Sequence, residues 1–197
     1  MFEGALIGFL LGKLRGGRLS NIRFLHIKWW PVLIFAFGLQ ILGFLFSDFT
    51  WVCYYGGLLD VVSLLAIAGV VVLNREKKGA IALFIGVVLN LLVIFINKGR
   101  MPISIDGLEF AGNELLAEQI KKGEMIRYIA SGEAVGFSRG LAKYIVVPKP
   151  YPFAKVLSIG DLFMTLGVIL FIQREMLKLR FGQKVATMIK IPYKGKE

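Results

Sequence analysis

Five apolar runs, at residues 1–14, 29–47, 51–73, 79–96 and 156–172, divide this chain, and short polar or basic turns separate most of them. With 56% hydrophobic residues and a mean hydropathy of +0.70, too little polar sequence remains to clothe a water-facing globule of 197 residues. The fold class that follows is all-α: a polytopic membrane bundle of about five transmembrane helices, forming one membrane domain. The first run is the shortest. Fourteen residues of helix reach about 21 Å against a hydrocarbon core of about 30 Å, so Lys13 must snorkel or the bilayer must thin. Its positive charges follow the apolar run instead of preceding it, as expected of a first span and not of a cleaved leader.

The formal charge of +11 would suit a nucleic-acid binder, but the basic residues fall in blocks between apolar runs, where topology signals sit. No nucleic acid is therefore expected among the partners. The blocks at 13–28, 75–78 and 174–196 hold five, three and seven Lys and Arg, whereas the turn at 48–50 holds none. Alternation then puts the N-terminus outside, the C-terminus inside, and the loop 97–155 outside. Trp29, Trp30, Trp51, Tyr54 and Tyr55 read as interfacial belts. Within the long loop, Leu108, Leu115, Leu116 and Ile120 predict an amphipathic helix over about 108–121, and Pro148–Pro152 an extended return to the membrane. The tail 173–197 mixes basic and apolar residues as a helix lying on an anionic leaflet would.

Intramembrane polar residues are the candidate site. Hydrocarbon accepts a carboxylate only where the bundle interior or a wet cavity receives it, so Asp161 needs a partner. At 1.5 Å per residue, Asn90 lies about 9 Å below the outer end of its run and Asp161 about 7–8 Å below the start of its own. The two share a level, and Arg100 sits at the mouth above Asn90. Asn90, Arg100 and Asp161 are thus the predicted ligand-binding residues. A packing role stands beside this: Ala82, Gly86 and Asn90 form a small-residue stripe, on which Asn90 would bond across helices and Asp161 would simply pair with Arg100. Asp60 lies deeper, with Gly56, Gly57 and Ser63 near it and no cation evident at its depth, so it would be protonated there. Gln40 reads as interhelical glue. Cys53 and His26 stand alone in the sequence, which leaves no intramolecular disulfide and no Cys or His metal cluster. No phosphate loop or dinucleotide fingerprint is present, and neither a metal nor a cofactor is expected.

Three segments carry a resemblance: Gly12-Lys-Leu-Arg-Gly-Gly-Arg18-Leu-Ser-Asn21, Asn97-Lys-Gly-Arg100-Met-Pro102-Ile-Ser104, and Ser158-Ile-Gly-Asp161 with Gly167 and Gln173. Together they resemble an uncharacterised bacterial membrane-protein family, domain of unknown function 5317. The resemblance implies a multi-pass protein of the bacterial cytoplasmic membrane and brings no activity with it. Gly160-Asp161 followed by Gly167-Val-Ile-Leu170 also looks like the second aspartate motif of lipoprotein signal peptidase, in which two aspartates share a proton to activate water. That family's other motif needs an aspartate where this chain has Val93, after Asn90-Leu91-Leu92, and only Asp60 could replace it.

Three functions follow. The first is a non-enzymatic binding or accessory protein in the lipid bilayer. Its outward-facing pocket would receive an anionic lipid headgroup, a small solute or the helix of a partner membrane protein, with Arg100 pairing the anion. The second is an intramembrane hydrolase with Asp161 and Asp60 as catalytic residues. The third is a small transporter or the substrate-binding subunit of one, since intramembrane carboxylates also mark solute and proton paths.

Overall fold

A computed structural model describes residues 2–46, 50–151 and 154–178. The apolar runs coil into helices α1 (Phe2–Leu14), α2 (Trp30–Leu45), α3 (Thr50–Leu73), α4 (Ala80–Ile96) and, at the C-terminal side, α7 (Ile159–Leu177). Between α4 and α7 lies a small α/β cap. It comprises β1 (Met101–Ile103), α5 (Ile105–Phe110), α6 (Glu114–Lys121), β2 (Tyr128–Ala130), β3 (Ile145–Val147) and β4 (Lys155–Leu157).

This architecture overturns the five-span, all-α expectation. Among the described residues only Tyr54–Leu73 in α3 is a helix long and apolar enough to cross a membrane. Helices α1, α2 and α4 have 13, 16 and 17 residues, which at 1.5 Å each give about 20, 24 and 26 Å against a core of about 30 Å. Helix α7 is longer, but Gln173, Arg174 and Glu175 end its apolar part early. The N-out, C-in path built on five crossings falls with them. The expected loop helix over 108–121 is also two helices, because Gly112 at φ +76° turns the chain between α5 and α6. Of the stretch read as an extended return, residues 149–151 turn after β3, which pairs antiparallel with β4, and Pro152 lies outside the described residues. The tail expected to lie on a leaflet falls outside the described residues beyond Lys178.

The helices pack in the order α1, α7, α4, α3, α2, so that chain neighbours α1 and α2 end an arc joined by the 3-10 segment Leu19–Phe24. Helix α7 is held on both sides by glycines. On α1, Gly4, Gly8 and Gly12 face Thr165, the Ile169–Ile172 turn and Met176; a Cβ at Gly12 would stand 2.5 Å from Met176 Sδ. On the α4 side, Gly79 and Gly86 meet Gly160 and Gly167, backbone against backbone, and a Cβ at Gly86 would stand 2.5 Å from the Gly160 carbonyl. Small residues let helix backbones approach this closely.

Polar contacts fix the ends of the arc. Asn74 at the end of α3 binds the backbone of Lys28 through both N–H (2.9 Å) and C=O (3.0 Å). Asn21 donates to the Met176 and Lys178 carbonyls, closing the C-terminal end of α7. The bundle core runs from Ala36 through Leu64, Ile67, Val87 and Ile94 to Met164. The cap has its own core of Ile103, Leu108, Ala111, Ala117, Ile120, Met125 and Val156. Outside, large apolar side chains stay exposed along the helices, among them Leu10, Ile34, Ile41, Leu58, Leu65, Ile81 and Phe95.

The glycine contacts make a paired prediction. Gly167→Leu would drive a side chain into Leu83, whose nitrogen lies 2.6 Å from the built Cβ, at a cost of about 1–3 kcal/mol or more. Gly69→Ala on α3, where nothing lies within 4 Å, should be neutral or stabilise by up to about 1 kcal/mol. Thermal unfolding of both variants in one detergent checks this; equal shifts would contradict the α4–α7 packing.

Candidate functional site

The site is a cavity of about 340 Å³ between the helices and the cap, walled by Gln40, Asp60, Leu64, Asn90, Ile94, Met101, Arg127, Tyr128, Lys143, Lys155, Asp161 and Met164. Its charges arrive from two directions: carboxylates from the helices, cations from the cap.

Asp161 is placed by the start of α7. Ser158 is the N-cap: its Oγ accepts from the Asp161 N–H (3.0 Å), and Asp161 Oδ2 accepts from the Ser158 N–H (3.1 Å), a reciprocal capping box. The carboxylate's other oxygen accepts from Asn90 Nδ2 at 2.9 Å, and Asn90 Oδ1 accepts from Ser158 Oγ at 2.9 Å. Asn90, Ser158 and Asp161 therefore form a closed ring of side-chain bonds between α4 and α7. The tight approach of Gly160 to Asn90 makes room for it; a Cβ there would stand 2.2 Å from Asn90 Oδ1. Lys143 Nζ lies 3.5 Å from Asp161 Oδ2.

Asp60, one helix turn beyond the Gly56-Gly57 pair of α3, is gripped by Arg127. The guanidinium bonds both carboxylate oxygens, Nε to Oδ2 at 2.6 Å and Nη2 to Oδ1 at 2.5 Å, and Nη1 donates to the Gly43 carbonyl at 3.2 Å. This bidentate fork is the strong form of an Arg–carboxylate pair. Arg127 threads between α2 and α3 over glycines: a Cβ at Gly43 would stand 3.3 Å from Nη1, and one at Gly56 3.2 Å from Cδ. Both members are largely buried, with side chains 16% and 17% exposed.

One strand sets both cations. The Met101 N–H donates to the Arg127 carbonyl (2.9 Å), and β1 pairs in parallel with β2. On its other edge the Lys143 N–H donates to Pro102 O, and the Ser104 N–H to Lys143 O, each at 2.9 Å. The Tyr128 ring lies between the two cations, 5.4 Å from Arg127 Cζ and 6.0 Å from Lys143 Nζ, within reach of cation–π attraction. Burial pushes the Lys143 ammonium down, but Asp161, Tyr128 and Asp60 together outweigh it and hold the group above the usual lysine range. Lys155, also on the wall, is bonded to Glu3 of α1.

The structure thus brings Asn90 and Asp161 together and puts Asp60 on the same wall. Arg100 is exposed, is not part of the wall, and its expected place beside Asp161 is taken by Lys143. Asp60 has the cation that sequence reasoning did not find. The signal available was Gly43 and Gly56 near a carboxylate in an apolar run, a groove cut for a long side chain, whereas Gly57 meets the Gly99 carbonyl instead. Gln40 lies on the wall while its Nε2 donates to Ser63 Oγ at 2.8 Å, which in turn donates to Ala36 O. No cluster of three or more His, Cys, Asp or Glu able to hold a metal occurs among the described residues.

Fold and cavity define a mostly helical protein whose small α/β cap is tied to the helices by ion pairs from Arg127, Lys143 and Lys155 over a charge-lined space. A model of a family of unknown function, DUF5317, matches residues 24–173, and the chain belongs to that family. The matched stretch contains the whole cavity wall. No curated protein and no solved structure matches the chain.

Removing one partner of a buried pair leaves a bare charge. Arg127→Met should cost about 3–5 kcal/mol, and Asp60→Leu with Arg127→Met far less; a double-mutant cycle by chemical denaturation reads the difference. The Lys143 contribution has the opposite pH sense to acid denaturation. Because its folded pKa is raised, its stabilisation is fully present below the ordinary lysine value of about 10.4 and lost as pH climbs through the higher folded value. Lys143→Met should therefore flatten the alkaline limb of the stability–pH profile.

Proposed function

We infer that this chain is a membrane-associated binding protein without chemistry of its own, whose capped cavity receives the polar head of a lipid or a small solute. The observation that carries the reading is the state of the cavity's charges. Asp60 is bound on both oxygens by Arg127, and Asp161 is occupied by Asn90, the Ser158 N–H and Lys143. A hydrolytic dyad needs two carboxylates sharing one proton, whereas here each carboxylate answers to its own cation. Lys143, in contrast, carries three donors and stands at 3.5 Å from Asp161, the carboxylate it pairs with, so it has donors to offer a guest. The apolar side chains left outward on α1 to α4 support a lipid setting, since exposed patches of that extent call for a cover. Asp60 on the cavity wall favours solute transport as the second reading.

Native mass spectrometry of the protein purified from membranes tests this, beside Lys143→Gln. The expected result is a bound anionic lipid or solute on the natural chain and at least about tenfold weaker retention per folded molecule on the variant, whose melting is lowered by the lost pair with Asp161. Equal retention by both would remove the cavity from the account. Uptake of the same solute into proteoliposomes would move the conclusion to the transport reading.

A further inference from the structure

A second cavity of about 400 Å³ lies on the concave side of the helix arc, and the wall it presents is apolar, with Phe9, Phe37, Ile67, Val71, Leu83 and Phe171 contributing. The two cavities share three helix stripes. On α2 the lining passes from Phe37 to Gln40, on α3 from Ile67 to Leu64, and on α7 from Val168 to Met164. Each step is three or four residues, one helical turn on the same face. The charged cavity and the apolar one are therefore stacked end to end along the bundle, and Leu64 and Met164 stand at the border. Methionine is the side chain best able to move aside there, being unbranched and flexible. From Asp161 at the charged end to Phe171 at the apolar end, α7 rises about 15 Å.

We propose that the two cavities form one seat for an amphiphile with an anionic head and a single apolar chain, the head at Lys143 beneath the cap and the chain along the apolar cleft. The proposal rests on the binding reading above and names its ligand class. Charge selects the head: Lys143 faces the cavity with ammonium donors not taken up by Asp161 at 3.5 Å, while Asp60 and Asp161 are already engaged. Size selects the tail. Each cavity lies near the bottom of the about 300–1,000 Å³ range of ligand sites, which suits one chain and not two. A partner helix, about 10 Å across with a rise of 5.4 Å per turn, would fill the apolar cleft with roughly one turn, too little for an interface.

The test uses the full chain in amphipol and three probes by calorimetry, each below its micelle-forming concentration: dodecyl phosphate, methyl phosphate and dodecanol. Dodecyl phosphate is expected to bind at least about a hundredfold more tightly than methyl phosphate, since each buried methylene contributes, and at least about tenfold more tightly than dodecanol. Val168→Trp, which fills the cleft, should weaken dodecyl phosphate at least about tenfold and leave methyl phosphate unchanged. Should that variant fail to fold, the comparison of probes on the natural chain decides alone. Equal binding of dodecyl and methyl phosphate would overturn the tail seat and leave the head-binding reading standing. Equal binding of dodecyl phosphate and dodecanol, or none of any probe, would overturn both.

Discussion

The structure turns on one carboxylate. Asp161 closes the first turn of α7, bonds α4 through Asn90, and draws Lys143 of the cap to within 3.5 Å. A buried carboxylate is costly by itself, and each of these contacts offsets part of that cost. The position also uses the helix, because the N-terminus of α7 presents unpaired N–H groups and the positive end of its dipole. The same residue at the other end of the helix would meet carbonyls. Burial of Asp161 thus fixes three things at once: where α7 begins, which helix lies beside it, and which face of the cap looks down.

Further ion pairs tie the cap to the helices at other points, Arg127 to Asp60 of α3 and Lys155 of β4 to Glu3 of α1. Arg127 lies on the α2–α3 side and Lys143 on the α4–α7 side, and both hang from β1. The strand is three residues long and buried throughout. It works as a spacer that sets how far apart the two cations reach, with β2 along one edge and, on the other, the single bridge residue Lys143 bonded to its Pro102 carbonyl. The Tyr128 ring lies within cation–π reach of both cations.

How much of this is legible in the sequence depends on range. The apolar runs become helices because composition over many residues decides that, but helix length is not bilayer length, and the count of crossings was inferred from the wrong quantity. The meeting of Asn90 with Asp161 follows from counting residues along two helices, where the rise is fixed. The partners of Asp60 and the role of Lys143 do not, since they hang on strands too short for any periodicity, formed between residues that sequence distance keeps far apart. Arg100 is the instructive miss: it is near in sequence to Asn90, but the turn through Lys98 and Gly99, both at positive φ, sends the chain away and leaves it exposed. The stripe of Gly4, Gly8 and Gly12, spaced by four, marks the face that α7 covers, and sequence reasoning passed over it.

A cavity lined by charges that already have partners behaves differently from one lined by bare ones. A bare carboxylate takes up a proton or reacts; a paired one holds its shape, because breaking the pair costs more than a guest's weak contact returns. Two such pairs produce walls that keep their geometry whether or not the space is filled, and preorganised walls bind with less ordering cost. The asymmetry between the pairs then matters. Arg127 has bound both oxygens of Asp60 and closes that side, while Lys143 stands off from Asp161 and leaves a cation with unused donors. One wall of the cavity is thus closed by a bidentate pair, while the other keeps a cation with donors turned to the space.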